Sequence, residues 1–382
     1  MSRSLRQRAR RAGLSALASV LLLSACSRQG SSGNEIGIAV ALNPQRAGMQ
    51  TIYNGVQLAV DQLNAQGAAW LGARRFVMVR GENGVSDPIK IADRFRDSAT
   101  VVGVVGHPES GTTLAAIDEY ADSKNGGRNA VVAISPTGTS PALSGASRWL
   151  FRVCPSDVQS SRAVAQYLLD SLKATRASII YRNDSYGKDW AKSFAEAYRA
   201  GRGGVRGTIV QRDPYLQGAT PWDAYAGYLK LLKPDVLLFP GSQEDALLAL
   251  RAMRDAGVTT PLIGGDATSG LEANAAEFPN VRYTAFFLAR RASTPEAKAF
   301  VEAYTARFKQ EPDQRAALAY DAAMLIGRAV LETRSAGRAA VRDHIESIGG
   351  SRPRVLGAAG PIAFDDKHDA IEKPVVIAKV GQ

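Results

Sequence analysis

Two hydroxyl-rich stretches, HPESGTT (107–113) and SPTGTSP (135–141), hold the residue types that recognise a small anion. Ser110, Gly111 and Thr112 are placed to open a helix, where free backbone N–H groups and the helix dipole favour a carboxylate. Thr137 and Thr139 bring further hydroxyls from the second stretch. The first stretch also fits the spacing of a phosphate loop. Thr112 stands where that motif needs lysine, however, and Glu109 would repel phosphate, so a nucleotide is not expected. Downstream, NDSYG (183–187), PGSQE (240–244) and GDATS (265–269) are three more candidate loops, and they carry Tyr186 and Asp266.

Each of these residues has a plainer structural reading. Ser110 could be an N-cap, SPTGTSP a polar turn, Tyr186 a ring packed beside a turn and Asp266 a helix cap. Their joint position is what points to a site, and that position follows from the elements around them.

Val101–Val105 is a short β-branched run, Thr112–Ala121 has helical spacing of Leu114, Ile117 and Tyr120, and Val131–Ile134 is a second strand. This βαβ unit sends both hydroxyl-rich loops out of the carboxyl ends of parallel strands, where open α/β sheets bind ligands. Before it come a strand at Ile36–Leu42, a helix at Thr51–Asn64, a strand at Phe76–Val79 and a helix at Pro88–Phe95. After a crossing strand at Trp149–Val153 the alternation restarts, with strands at Ser178–Tyr181, Val205–Val210, Asp235–Phe239 and Pro261–Gly264. The loops bearing Tyr186 and Asp266 again follow strands. The pattern predicts an α/β fold of two doubly wound parallel-sheet lobes joined by a three-crossing hinge. Residues 35–154 and 284–361 are assigned to the first lobe, and 155–283 and 362–382 to the second. The passages are expected near Val153–Pro155, Val281–Thr284 and Pro361, with Ser110, Thr137 and Thr139 facing Tyr186 and Asp266.

The amino terminus has a different purpose. Arg3, Arg6, Arg8, Arg10 and Arg11 precede an apolar run, Leu14–Ala25, too short to span a bilayer, so residues 1–25 read as a secretory signal peptide. Leu23-Ser24-Ala25-Cys26 resembles the bacterial lipobox, which implies cleavage before Cys26 and lipidation of its thiol. Residues 26–34 then form a Gly/Ser-rich tether. Five of the 47 basic residues leave with the signal, so 42 stand against 36 acidic ones and the net charge falls from +11 to +6. That mild balance, without an aromatic-interleaved basic stripe, excludes nucleic acid as an expected partner. Cys154 has no cysteine left to pair with and reads as a buried, inert thiol. An enzyme is not expected either. His107, His344 and His368 show no metal-ligand spacing, and neither G-x-S-x-G nor a dinucleotide fingerprint is present, so no cofactor or metal is assigned.

GVVGHPESGTT, AISPTGTSPAL with FRVCPSD behind it, NDSYGKDW and IGGDA together resemble type I periplasmic solute-binding proteins of the leucine/isoleucine/valine-binding family, from about Glu35 to the end. The resemblance implies that Ser110 and the Thr137–Thr139 loop hold a ligand α-carboxylate, Asp266 an α-ammonium, and that Tyr186 packs on the ligand. It further implies an amino-acid-like solute, an ABC permease as partner and a lipid-anchored place in the cell envelope. A zwitterion does need donors on one side and a carboxylate on the other. Two departures count against inheriting aliphatic specificity: Gly48 and Met49 stand where an aromatic often closes the side-chain pocket, and Ser242 stands near a position often held by tyrosine. Glu109 replaces a cysteine that some members pair. The rival reading is an envelope lipoprotein of the same fold that senses or regulates a partner. Facing loops that keep both donors and an acid favour capture.

Overall fold

The computed structural model describes residues 33–45, 48–81 and 86–381; the signal peptide and Cys26 lie outside the described residues. The first lobe begins with β1 (Glu35–Ala41), α1 (Gln50–Leu71), β2 (Arg75–Arg80), α2 (Pro88–Asp97), β3 (Val101–Gly106), α3 (Ser110–Tyr120), β4 (Val132–Ser135) and β5 (Leu150–Arg152). Its five strands form a parallel sheet in the order β2-β1-β3-β4-β5. The strand expected to cross between lobes is thus the fifth member of this sheet. Successive side chains point to opposite faces, and both faces are covered, which is why these strands read as continuous apolar runs. Ile36, Ile38 and Val40 enter one core, whereas Ala39 and Ala41 enter another with Ile91, Phe95 and Tyr120 of α2 and α3.

The second lobe contains α4 (Asp157–Asp170), β6 (Arg176–Arg182), α5 (Ser185–Ala200), β7 (Thr208–Tyr215), α6 (Trp222–Leu232), β8 (Val236–Phe239), α7 (Gln243–Asp255), β9 (Leu262–Gly264) and β10 (Arg282–Ala285). The chain then adds α8 (Pro295–Phe308), α9 (Gln314–Thr333), α10 (Arg338–Glu346), the hairpin β11 (Val355–Gly357) and β12 (Gly360–Ile362), and finally β13 (Val376–Lys379). The second sheet runs β13-β10-β9-β8-β6-β7, parallel except for β13 against β10. Helix α9 packs on α1 at very short range. A Cβ on Gly55 would lie 2.2 Å from the Ala316 carbonyl oxygen, so the contact exists because Gly55 has no side chain.

The chain passes between the lobes after β5, after β10 and before β13. The second passage lies beyond the expected Val281–Thr284, because Tyr283 and Ala285 pack in the second lobe and Phe286 and Phe287 are the first residues in the other core. The third lies well beyond Pro361, which pairs with Leu356 inside the hairpin. Phe364 and Ala370 remain in the first core, Phe364 edge-on to Phe151 at 5.0 Å, and only β13 joins the second sheet.

Candidate functional site

Strands β3 and β4 are neighbours in a parallel sheet, so the loops that leave their carboxyl ends lie side by side. Hydrogen bonds stitch them together: the Ser135 hydroxyl donates to the His107 carbonyl at 2.6 Å, and the Thr137 hydroxyl to the Pro108 carbonyl at 2.6 Å. Ser110 is the first residue of α3, and its hydroxyl oxygen accepts the Ser140 N–H at 3.2 Å. Among the described residues no side chain caps the start of α3, and uncapped first-turn N–H groups of this kind suit an anion.

On the other lobe, β6 and β9 flank β8, which brings their following loops together. Tyr186 sits in the first turn of α5, whose start is fixed by the Asp184 carboxylate accepting the Gly187 N–H at 2.9 Å. Asp266 opens a 3₁₀ turn, Asp266–Asn274, directly after β9. The Tyr186 phenol donates to Asp266 Oδ1 at 3.1 Å.

Ser110, Thr137, Tyr186 and Asp266 all line one cleft of ≈ 450 Å³ between the lobes. Thr139 is not at its surface. It is fully buried below, with its carbonyl accepting the Asp157 N–H at 2.8 Å and Arg152 Nη1 at 3.1 Å, and its hydroxyl has no hydrogen-bond partner among the described residues. Burial pushes the Asp266 carboxyl up to about 6, against the opposing effects of the Tyr186 phenol, its own backbone and the charges of Arg315 and Arg182. Burial and the nearby Asp266 and Asp157 charges raise the Tyr186 phenol well above its usual range, so it stays protonated and donating.

Four residues at or near this cleft were not anticipated. Asp157, at the start of α4, is fully buried, and its carboxyl is held well above the usual range by burial and then by the Asp266 charge. The Thr139 hydroxyl lies near enough to lower it somewhat, yet neither Asp157 oxygen reaches hydrogen-bond geometry with it. Gln314, the first residue of α9, ties the lobes together: its amide N–H group donates to the Asp266 carbonyl at 2.9 Å, and its amide oxygen accepts the Phe286 N–H at 2.9 Å. Arg182 and Arg315 also line the cleft. Arg182 ends β6 immediately before NDSYG, so the strand-end rule was a usable signal for it. Gln314, Arg315 and Asp157 open helices, and nothing local separates them from ordinary first-turn residues.

His107 donates to or accepts from the Tyr120 hydroxyl at 3.0 Å, and burial pushes its imidazole down to about 3, which leaves a neutral packing residue. Cys154 is a buried free thiol whose pKa burial raises. Gly48, Met49 and Ser242 border the cleft, and the Ser242 hydroxyl is occupied in capping α7, donating to Asp245 Oδ2 at 2.6 Å.

The sequence profile of the family described as periplasmic binding protein matches residues 43–382. Among curated relatives, the Leu/Ile/Val-binding protein BraC3 of Rhizobium johnstonii is 30% identical over 279 residues, 71% of each chain. The solved structure of the branched-chain amino acid transporter substrate-binding protein LivJ from Streptococcus pneumoniae, in complex with isoleucine, superposes with a TM-score of 0.77 at 26% identity, over 90% of this chain and 95% of that one. A solute-binding protein of an ABC transporter from R. palustris, in complex with benzoate, shares the fold with a TM-score of 0.73 at 17% identity, over 91% of this chain and 93% of that one.

Proposed function

Because the chain belongs to the periplasmic binding protein family, whose members bind solutes and are not enzymes, we propose that it captures an amino acid, or a solute with the same polar head, and presents it to an ABC permease. The observation that carries this reading is the convergence of Ser110 and Thr137 from one lobe with Tyr186 and Asp266 from the other on a single cleft. The Ser110 hydroxyl and the free N–H groups of α3 take the α-carboxylate, and the Thr137 hydroxyl joins them by turning from the Pro108 carbonyl. Thr139, in the same loop, supports this wall from below, its carbonyl holding the Asp157 N–H and Arg152. Asp266 takes the α-ammonium, and the Tyr186 ring covers the head group. A carboxylate held in a low-dielectric cleft gains most from a cation that arrives with the ligand.

Three passages of chain favour rotation of the lobes over sliding, and the Gln314 bonds across the hinge give that rotation a fixed pivot. Small-angle scattering with and without a saturating amino acid tests the reading. Compaction on binding is expected, and unchanged dimensions at saturation count against capture between lobes. We further propose that Cys26 carries the lipid anchor, since acyl chains would hold the protein at the membrane. Cys26→Ser should release the processed protein from washed membranes; retention there contradicts the anchor.

A further inference from the structure

Two arginines reach the cleft from opposite lobes with most of their donors unused. Arg182 Nε donates to Asp184 Oδ2 at 2.5 Å, and its guanidinium lies 5.8 Å from the centre of the Tyr186 ring. Its two terminal nitrogens make no hydrogen bond among the described residues, although the side chain is only 12% exposed. Arg315 Nη1 stands 3.8 Å from Asp313 Oδ2, an ion pair too long for a hydrogen bond, and none of its donors is bonded among the described residues. A Cβ at Gly48 would lie 3.1 Å from that same nitrogen, so the glycine leaves the guanidinium its place. A guanidinium presents a planar fork of donors that matches a carboxylate, and leaving such donors unpaired in a half-closed cleft is costly.

The remaining walls agree. Gln45, Gln217 and Gln243 line the cleft beside Met49, Pro108 and Ala267, and polar and apolar surface share it about equally. Pockets for aliphatic side chains are lined mainly by apolar and aromatic groups. Glu109 and Glu244 offer the opposite charge, but Glu244 is exposed and Glu109 already has an interaction within the protein.

We propose that the ligand carries a second anionic group, a side-chain carboxylate, which Arg182 and Arg315 grip from opposite lobes; the substrate class is the acidic amino acids. This rests on the amino-acid reading of the cleft, and the test separates the two. Calorimetry on the purified protein compares L-glutamate and L-aspartate with L-glutamine and L-asparagine, their uncharged counterparts, with L-leucine, and with glutarate, which lacks the amine. An acid should bind about 10- to 100-fold more tightly than its amide, the range expected of a hydrogen bond between charged groups. R182Q and R315Q should each shrink that ratio to within about threefold, the loss being on the acid. Leucine or an amide binding as tightly as the acids overturns the proposal while leaving the head-group reading intact, and so does an undiminished acid-to-amide ratio in both variants. Glutarate binding as tightly as glutamate upholds the arginine grip and overturns the pairing of Asp266 with an ammonium. No binding of any member of the panel overturns the proposal.

Discussion

On the first lobe's wall, Ser110 and Thr137 are neutral hydroxyls already bonded to neighbouring backbone; on the second lobe's wall, Asp266 is a carboxyl withdrawn from water, with the Tyr186 phenol as its side-chain partner. The first wall costs little when the cleft is empty, because each hydroxyl keeps a partner. The second carries an unfavourable burial, visible as the Asp266 carboxyl pushed up to about 6, which a cationic group offsets. On the proposed reading, the carboxylate end of a ligand is shared among several modest donors, whereas its amine depends on one acid.

Mutation of the acid should give the largest effect. Asp266→Ala leaves a desolvated ammonium without its partner, and truncating one member of such a pair costs about 2 to 5 kcal/mol. Affinity for the cognate amino acid should fall at least ~30-fold by calorimetry.

Acidity probes the same residue without a mutation. A zwitterion must find Asp266 ionised, so affinity should hold steady above about pH 6 and drop ~10-fold per unit below it, as binding comes to require loss of a proton. The ligand-free protein should show the opposite sign. A carboxyl raised on folding makes the folded state bind more protons than the unfolded one, so its contribution to stability is fullest below the ordinary carboxylate range and is lost as pH rises through about 6. Denaturant midpoints across this range for wild type and Asp266→Asn isolate that contribution; identical pH profiles would remove the electrostatic contrast between the walls.

Ser110→Ala should give the smallest loss. It removes one hydrogen bond to a charged group, worth about 1.5 to 3 kcal/mol at most, while the N–H groups of α3 remain. Equal, slight losses in the two variants would erase the contrast and reduce Asp266 to a helix-opening residue.

The alternation of strands and helices, and the four residues that meet at the cleft, were legible because each depends on a local pattern: an apolar run, then a loop of polar residues at its carboxyl end. Local pattern failed where packing decides. Helix α1 runs on to Leu71, beyond the expected Asn64, across Gly67, whose missing side chain admits Leu331 of α9. Strand β7 runs Thr208–Tyr215 rather than the expected Val205–Val210, with Pro214 inside it, which an edge strand tolerates. Helix α10 was not foreseen. Thr139 reads like Thr137, two positions away, yet one lines the cleft and the other is buried beneath it. Gln314 acts through three partners distant in sequence, Asp266, Ser269 and Phe286, and no window of sequence contains them.

The central claim is that an amine on the ligand is recognised by the second lobe. A thermal-unfolding screen that sets each L-amino acid beside the carboxylic acid lacking its amine tests it most directly. A ligand at ~100 times its dissociation constant adds about 2.7 kcal/mol of stability. The account predicts that at least one amino acid raises the unfolding temperature by that measure while its amine-free counterpart leaves it unchanged. Equal stabilisation by the two members of every active pair would contradict it.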